Sequence, residues 1–342
     1  MITQVSIKDL RGIAGGTVSD LTPLTILTGV NGSGKSTVLE SLLIGASRFP
    51  GMAIGQAVKR RASRQFTGEW LFRKRLTEAR IVVSIGGSPR VVSLRWLDAS
   101  EAEMRSETPN AVVVGAIAAV ASQGAQTGRS HTFFEPDGSY WSSRDYGEEL
   151  VPRSSTVEAR LIDMRGLIGD QREMTDVLSE AKSAGFGDAT VELLLNVAPG
   201  LRNFEVLKVG GGYEVGLIFD DGAVPLSMAG DGVRAATRLA LELAASPTGL
   251  VLLEEPEVHQ HPGALKVSAA SIVAAVKRGL QVVVATHSLE LIDELLLSAS
   301  RSELLDRLSV QKLRITNGTL ETTRFEGPES DRIRNVIGTE LR

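Results

Sequence analysis

Between the apolar run LTPLTILT and the second apolar run VLESLLIGA lies Gly29-Val30-Asn31-Gly32-Ser33-Gly34-Lys35-Ser36. No other stretch limits so tightly what this chain can fold into. Glycines take backbone conformations that side chains forbid, so consecutive N–H groups can point into one concavity. The stretch satisfies G-x-x-x-x-G-K-[ST] in full, a pattern that requires a strand before it and a helix after it. Leu24 to Thr28 read as a short buried strand, and Thr37 to Ala46 as the start of a helix. The helix N-terminus adds the positive end of its dipole. In this arrangement Asn31, Gly32, Ser33, Gly34 and Thr37 cradle phosphates, Lys35 reaches the terminal ones, and the Ser36 hydroxyl is a magnesium ligand.

Two further strand ends carry chemistry. Leu250-Val251-Leu252-Leu253 runs into Glu254-Glu255, as a buried strand does when its tip faces a metal. Glu254 would hold magnesium through water, and Glu255 would orient and polarise an attacking water. Aspartate is the commoner residue at the first of these positions. The strand in LQVVVATHS ends at His287, placed to hydrogen-bond a terminal phosphate and sense its loss. SMAGDG, residues 227 to 232, precedes a long helix; Ser227 and the amide of Gly230 there make either an anion site or an ordinary helix cap. His259 and His261 flank a loop beside Pro262 with no third metal ligand in view.

Buried β-runs alternating with helices argue an α/β protein with a largely parallel sheet. Ile2 to Lys8 alternates as a half-buried strand, followed by a turn around Gly15-Gly16. ARIVVSI and RVVSLRW, joined by Gly86-Gly87-Ser88-Pro89, predict a hairpin, as do residues 203–209 and 213–219 around Gly210 to Gly212. Helices are predicted over 170–183, 188–197, 233–245, 263–277 and 289–298, and a strand at KLRITN. Residues 99 to 155 show no clear period and read as a flexible or inserted segment, although AVVVGAIAAVA within it is a buried helix or strand too short to span a bilayer. The 342 residues carry a formal charge of −4, which excludes a globally basic nucleic-acid binder. A local basic stretch remains: Lys59, Arg60, Arg61, Arg64, Arg73, Lys74, Arg75 and Arg80 against Glu69 and Glu78. The absence of cysteine excludes disulfides, and MITQVSIKDLRGI has no apolar signal core, so a cytoplasmic location is expected.

These pieces in this order resemble the ABC-type ATPase heads of the SMC, RecF and OLD group. MITQVSIKDLRGI is similar to that group's opening strand, GVNGSGKS to its Walker A, LSMAGDG to its signature, VLLEEPEVHQHP to its Walker B with the loop after it, and VVVATHS to its switch-histidine strand. Within the group the chain looks most similar to the OLD-like ATPases, which often serve in bacterial anti-phage defence. The resemblance implies an α/β P-loop NTPase: an ABC-type ATPase head with a mixed-sheet core, an N-terminal antiparallel β-subdomain, and an inserted helical lobe at about 99–200 between core segments 1–98 and 201–342. It implies ATP and Mg²⁺ as ligands. It also implies a homodimer, or higher homo-oligomer, in which ATP on Lys35 and Ser36 of one head is capped by Ser227 and Gly230 of the other, with Glu255 supporting cleavage. The family's magnesium-reading glutamine falls on Gln56 or Gln65. Many OLD-like chains continue into a nuclease domain. No acidic nuclease cluster follows residue 300, so the resemblance implies a separate effector protein, a nuclease or toxin. No membrane partner is expected. DNA is the alternative partner, in a repair or chromosome-maintenance role of the RecF or SMC kind, tracked by the basic stretch with Arg60 and Arg61.

Overall fold

The computed structural model describes residues 1–61, 68–74, 76–106, 108, 112–144, 157–164 and 173–334. β1 (Ile2–Leu10) turns back into β2 (Ile13–Val18). β3 (Leu24–Thr28) leads through the glycine-rich turn into α1 (Lys35–Ala46), and α2 (Pro50–Lys59) follows. β4 (Glu78–Ile85) and β5 (Ser88–Asp98) form the expected hairpin through Gly86 and Gly87, whose φ values of 56° and 84° suit glycine. Next come α3 (Ala99–Arg105), β6 (Gly115–Gln123), β7 (Gln126–Phe134), β8 (Tyr140–Arg144) and β9 (Ala159–Asp163). α4 (Met174–Ser183) and α5 (Gly187–Leu194) precede β10 (Asn203–Val209), β11 (Gly212–Phe219) and β12 (Gly222–Pro225). The chain then alternates: α6 (Asp231–Ala244), β13 (Leu250–Glu254), α7 (Pro262–Lys277), β14 (Gln281–Ala285) and α8 (Leu289–Arg301). It returns through β15 (Leu308–Thr316) and β16 (Thr319–Glu326) to α9 (Gly327–Arg332).

One 13-stranded sheet runs β8-β7-β6-β5-β4-β1-β2-β16-β15-β3-β14-β13-β9. Its β9-β13-β14-β3-β15 part is parallel. β3, β13 and β14 are buried at every position, which is why apolar residues dominate them, with Thr25, Thr28 and Gln281 as buried polar exceptions. The β1-β4-β5-β6-β7-β8 part is antiparallel. β10-β11-β12 form a separate sheet, whose core with α4, α5 and α6 includes Phe204, Leu217 and Ala240.

Three expectations need correction. Gly15 and Gly16 lie within β2 rather than in a turn; a Cβ on Gly16 would meet that of Leu320 at 2.5 Å, so the glycine is there for close approach of β16. Within the segment 99–155, residues 115–144 are no loose insertion, because β6, β7 and β8 continue the main sheet from β5. The helical lobe expected at about 99–200 is mixed: β9 lines up beside β13 in the parallel core, and among the described residues α3, α4 and α5 are its α-helices. The predicted terminal residues 335–342, and residues 170–172 of the helix predicted from 170, lie outside the described residues.

Candidate functional site

The glycine-rich turn is shaped by its glycines. Gly29, Gly32 and Gly34 take φ values of 134°, 78° and 95°. A Cβ on Gly29 would meet the Leu313 carbonyl oxygen at 2.4 Å, and one on Gly34 would press on Ile315 and Ile13. The turn is thus wrapped tightly by β15 and β2, with Gly32 open. Lys35 starts α1 and folds back over the turn, its Nζ donating to the carbonyls of Gly29 (2.8 Å) and Val30 (3.3 Å). Burial pulls the Lys35 pKa down to about 8, against the opposing pull of Glu255, Glu254 and Glu257. The hollow in front, about 410 Å³, is lined by Asn31 to Thr37, Arg61, Glu254, Glu255 and His287.

Ser36 follows Lys35 by one residue, and its hydroxyl donates to Glu254 Oε1 at the tip of β13. A hydroxyl and a carboxylate oxygen converging at the mouth of a phosphate cradle are hard donors, and they fit Mg²⁺ that keeps waters and phosphates as its other ligands. The residues at this site therefore suit both the nucleotide and the cation that the sequence implied.

Glu255 stands at φ 47°, in the left-handed region that a side chain disfavours. Its N–H donates to the Ala285 carbonyl (2.9 Å), which fixes the bend leaving β13 against the end of β14. That bend brings Glu255 Oε1 to 3.8 Å from His287 Nε2 at the rim of the hollow. Behind them sits Glu257, missed in the sequence. The Thr286 hydroxyl donates to its Oε1 at 2.6 Å and the His287 N–H at 3.2 Å. Burial raises the Glu257 pKa, more than these hydrogen bonds lower it. The repeated acid in EEPE was the available signal.

The basic stretch resolves differently from the expectation. Arg60 is buried, not a surface contact for DNA. Its Nε and Nη2 donate to Glu40 Oε1 (3.0 and 2.8 Å), while Nη1 donates to Asp163 (2.9 Å) and to Glu254 Oε2. Glu40, fully buried on α1, also receives Arg11 (2.6 Å) and Arg61 (2.7 Å). Burial works against both charges. Arg11, Arg60 and Arg61 nevertheless hold the Glu40 carboxyl below its ordinary pKa, and Glu40 with Glu254 holds the Arg60 guanidinium above its own. Gln56 turns elsewhere, its Nε2 donating to the Leu161 carbonyl at 3.5 Å, so the side chain from this region that reaches Glu254 is an arginine. Gln65, Arg64 and Arg75 lie outside the described residues.

Ser227 and Gly230 are not brought to the hollow within one chain. Ser227 sits in a short 3-10 turn, its N–H donating to Glu214 (3.3 Å), and lines a separate cavity with Tyr213, Asp231 and Arg234. Gly230 caps α6. His261 caps α7, its Nδ1 accepting from the Gly263 N–H at 3.3 Å, and His259 lines the Ser227 cavity. Among the described residues no helix is long and apolar enough to cross a membrane.

Comparison with known proteins fits this geometry. Residues 218–293 match the family described as an AAA domain, putative AbiEii toxin, type IV TA system. An uncharacterized protein, MJECL11, of Methanocaldococcus jannaschii is 32% identical over 114 residues, which span 33% of this chain and 98% of the relative. Among solved structures, an Smc head bound to the C-winged helix domain of ScpA aligns with a TM-score of 0.53 at 14% identity, over 95% of this chain and 98% of that one. An Smc head with an extended coiled coil, bound to the C-terminal domain of ScpA derived from Pyrococcus furiosus, aligns with a TM-score of 0.53 at 13% identity, over 99% of each chain. At that identity the likeness is one of fold.

Proposed function

We propose that this chain, which belongs to one family with the M. jannaschii relative and shares the fold of the Smc heads, is a P-loop ATPase that works as an ATP-driven dimerisation switch. Lys35 and the amides of the glycine-rich turn hold the phosphates, and Ser36 with Glu254 holds Mg²⁺. Bound Mg²⁺ would neutralise charge on the transferring phosphoryl group. Glu255 orients and polarises the attacking water, and His287 contacts the terminal phosphate. The observation that carries this reading is Glu255 on strained backbone beside His287, at the rim of the hollow that holds Lys35 and Ser36. Strain of this kind, roughly 1–3 kcal/mol, persists where the surroundings enforce it, and it clusters at functional sites.

Ser227 and Gly230 of a second head complete the site from across a dimer interface. Their separation from the hollow within one chain supports this, as do two exposed apolar side chains, Val30 at 70% beside the phosphate turn and Met228 at 73% beside Ser227. ATP touches both heads only in the closed dimer, so its binding energy favours that state. The dimer then acts on a separately encoded effector, a nuclease or toxin, in cytoplasmic anti-phage defence. The toxin–antitoxin description of the matching family and the partner domains on both Smc heads support an effector. Light scattering with ATP and magnesium is expected to show dimer for the parent chain and monomer for Ser227→Arg. Dimers that form equally with the variant would remove the composite site from this reading.

A second reading, DNA binding, is favoured by a different surface from the one expected. On the outer face of the antiparallel sheet, Lys8, Arg80, Ser93, Val120 and Arg129 stand in one register row across β1, β4, β5, β6 and β7. Arg95 and Arg105 join them around a groove of about 630 Å³. Arg80→Ala with Arg129→Ala is expected to weaken duplex binding and reduce the slope of log affinity against log salt by roughly one per lost phosphate contact. An unchanged slope removes this face from consideration.

A further inference from the structure

Arg60 is tied to the metal carboxylate in a way the reaction above does not use. Glu254 is almost wholly buried, its side chain 2% exposed, and both of its oxygens are engaged: Oε1 by the Ser36 hydroxyl, Oε2 by Arg60 Nη1. The guanidinium is fixed from both sides. Its Nε and Nη2 grip one oxygen of Glu40 on α1, and its Nη1 is shared between Asp163 on β9 and Glu254 on β13. Three elements thus hold a planar cation against the acid intended for Mg²⁺. The rigid fork of arginine suits this, and the flexible point charge of lysine does not.

Every carboxylate of the ion-paired cluster meets a guanidinium. Arg11, Arg60 and Arg61 face Glu40, Asp163 and Glu254. A divalent cation arriving alone meets a carboxylate that is already neutralised, and it is repelled by a guanidinium that cannot deprotonate. Arriving with a nucleotide it brings phosphate charge, which Lys35 and the glycine-rich turn are built to accept. We propose that Arg60 is the resident counter-cation of Glu254, a positioning residue that makes divalent-metal entry depend on the nucleotide. It keeps the Glu254 carboxylate oriented between turnovers while denying the site to free metal.

The inference rests on Ser36 and Glu254 being the metal site, and the test separates the two. Mn²⁺ binding is measured by electron paramagnetic resonance on the full chain, without nucleotide and with a non-hydrolysable ATP analogue. For the parent chain, tight Mn²⁺ binding is expected only with the analogue. Arg60→Gln is expected to bind free Mn²⁺ roughly tenfold or more tightly than the parent, with little change when the analogue is present. Arg60→Met, which keeps the length and packing of the stem, serves if the glutamine variant does not fold. A purely structural role for Arg60 predicts the opposite sign, weaker Mn²⁺ binding in a loosened site. Unchanged or weakened free Mn²⁺ binding in the variants, with normal binding in the presence of the analogue, overturns the role of Arg60 alone. Failure of the parent chain to bind Mn²⁺ even with the analogue overturns the metal site itself, and the inference with it.

Discussion

Glu255→Gln is expected to lower ATP turnover by about 10²–10⁴-fold, the range typical of a positioned general base. Nucleotide affinity should hold or rise. The amide keeps the shape of the carboxylate and can occupy the same bend at the end of β13, where the Glu255 N–H is bound by the Ala285 carbonyl. What it loses is the carboxylate charge, 3.8 Å from His287 Nε2, to which the proposed function gives the polarisation of the attacking water. Lys35, Ser36 and Glu254 are untouched, so ATP and metal still bind and the closed dimer accumulates instead of being released. Steady-state phosphate release and light scattering in ATP read the two halves of this expectation. Turnover near that of the parent chain would assign water activation to another group. A fall in turnover with loss of nucleotide binding would mean that the carboxylate shapes the hollow rather than the reaction.

Glu40→Gln is expected to destabilise the fold by about 3–5 kcal/mol at neutral pH, the cost of breaking a buried ion pair by removing one partner. Glu40 is fully buried and is the anchor of Arg11, Arg60 and Arg61, so the variant leaves the cation just after β1 and the two just after α2 without their acid. Urea or thermal unfolding followed by circular dichroism measures this. The pH dependence has a defined sign. The arginines hold the folded-state pKa of Glu40 below its unfolded value, near 4.3 for a free glutamate, so its stabilisation is complete above that value. The contribution is lost as pH falls through the lower folded-state value. The variant therefore differs most from the parent at neutral pH, and the two unfolding curves approach each other in acid. A constant gap across pH would mean that the loss comes from packing instead of charge.

How much of this could be read in advance depended on sequence distance. The phosphate turn needs only neighbours: Gly29, Gly32 and Gly34 set the backbone, and Lys35 and Ser36 follow in the same eight residues. The strands ending at Glu254 and His287 were legible because burial on both faces writes an unbroken apolar run. Arg60 was misread because its meaning lies 20, 103 and 194 residues away, in Glu40, Asp163 and Glu254. The sign of that network was nonetheless present in α1. An acid inside VLESLLIGA has no place on an apolar helix unless cations meet it, and Glu40 is that acid. β16 escaped notice for another reason. It pairs with β15 and β2 while most of its side chains face water, so TLETTRFE carries little apolar alternation.

The continuity of the main sheet has a mechanical consequence. Hydrogen-bonded neighbours run without a break from β8 at one edge to β9 at the other, so the antiparallel face and β3, β13 and β14, which lead to Lys35, Glu254 and His287, form one continuous plate. The Gln281 side chain adds a rivet between its two parts, accepting from the Ile2 N–H (2.8 Å) and donating to the Ile2 carbonyl (2.6 Å). Ser227 and Gly230 lie beside the second sheet, whose core with α4 and α5 is joined to that of the main sheet by α6 and α7, which place side chains in both. In the proposed dimer, a contact made at Ser227 and Gly230 would reach the plate through α6 and α7, whose side chains enter both cores.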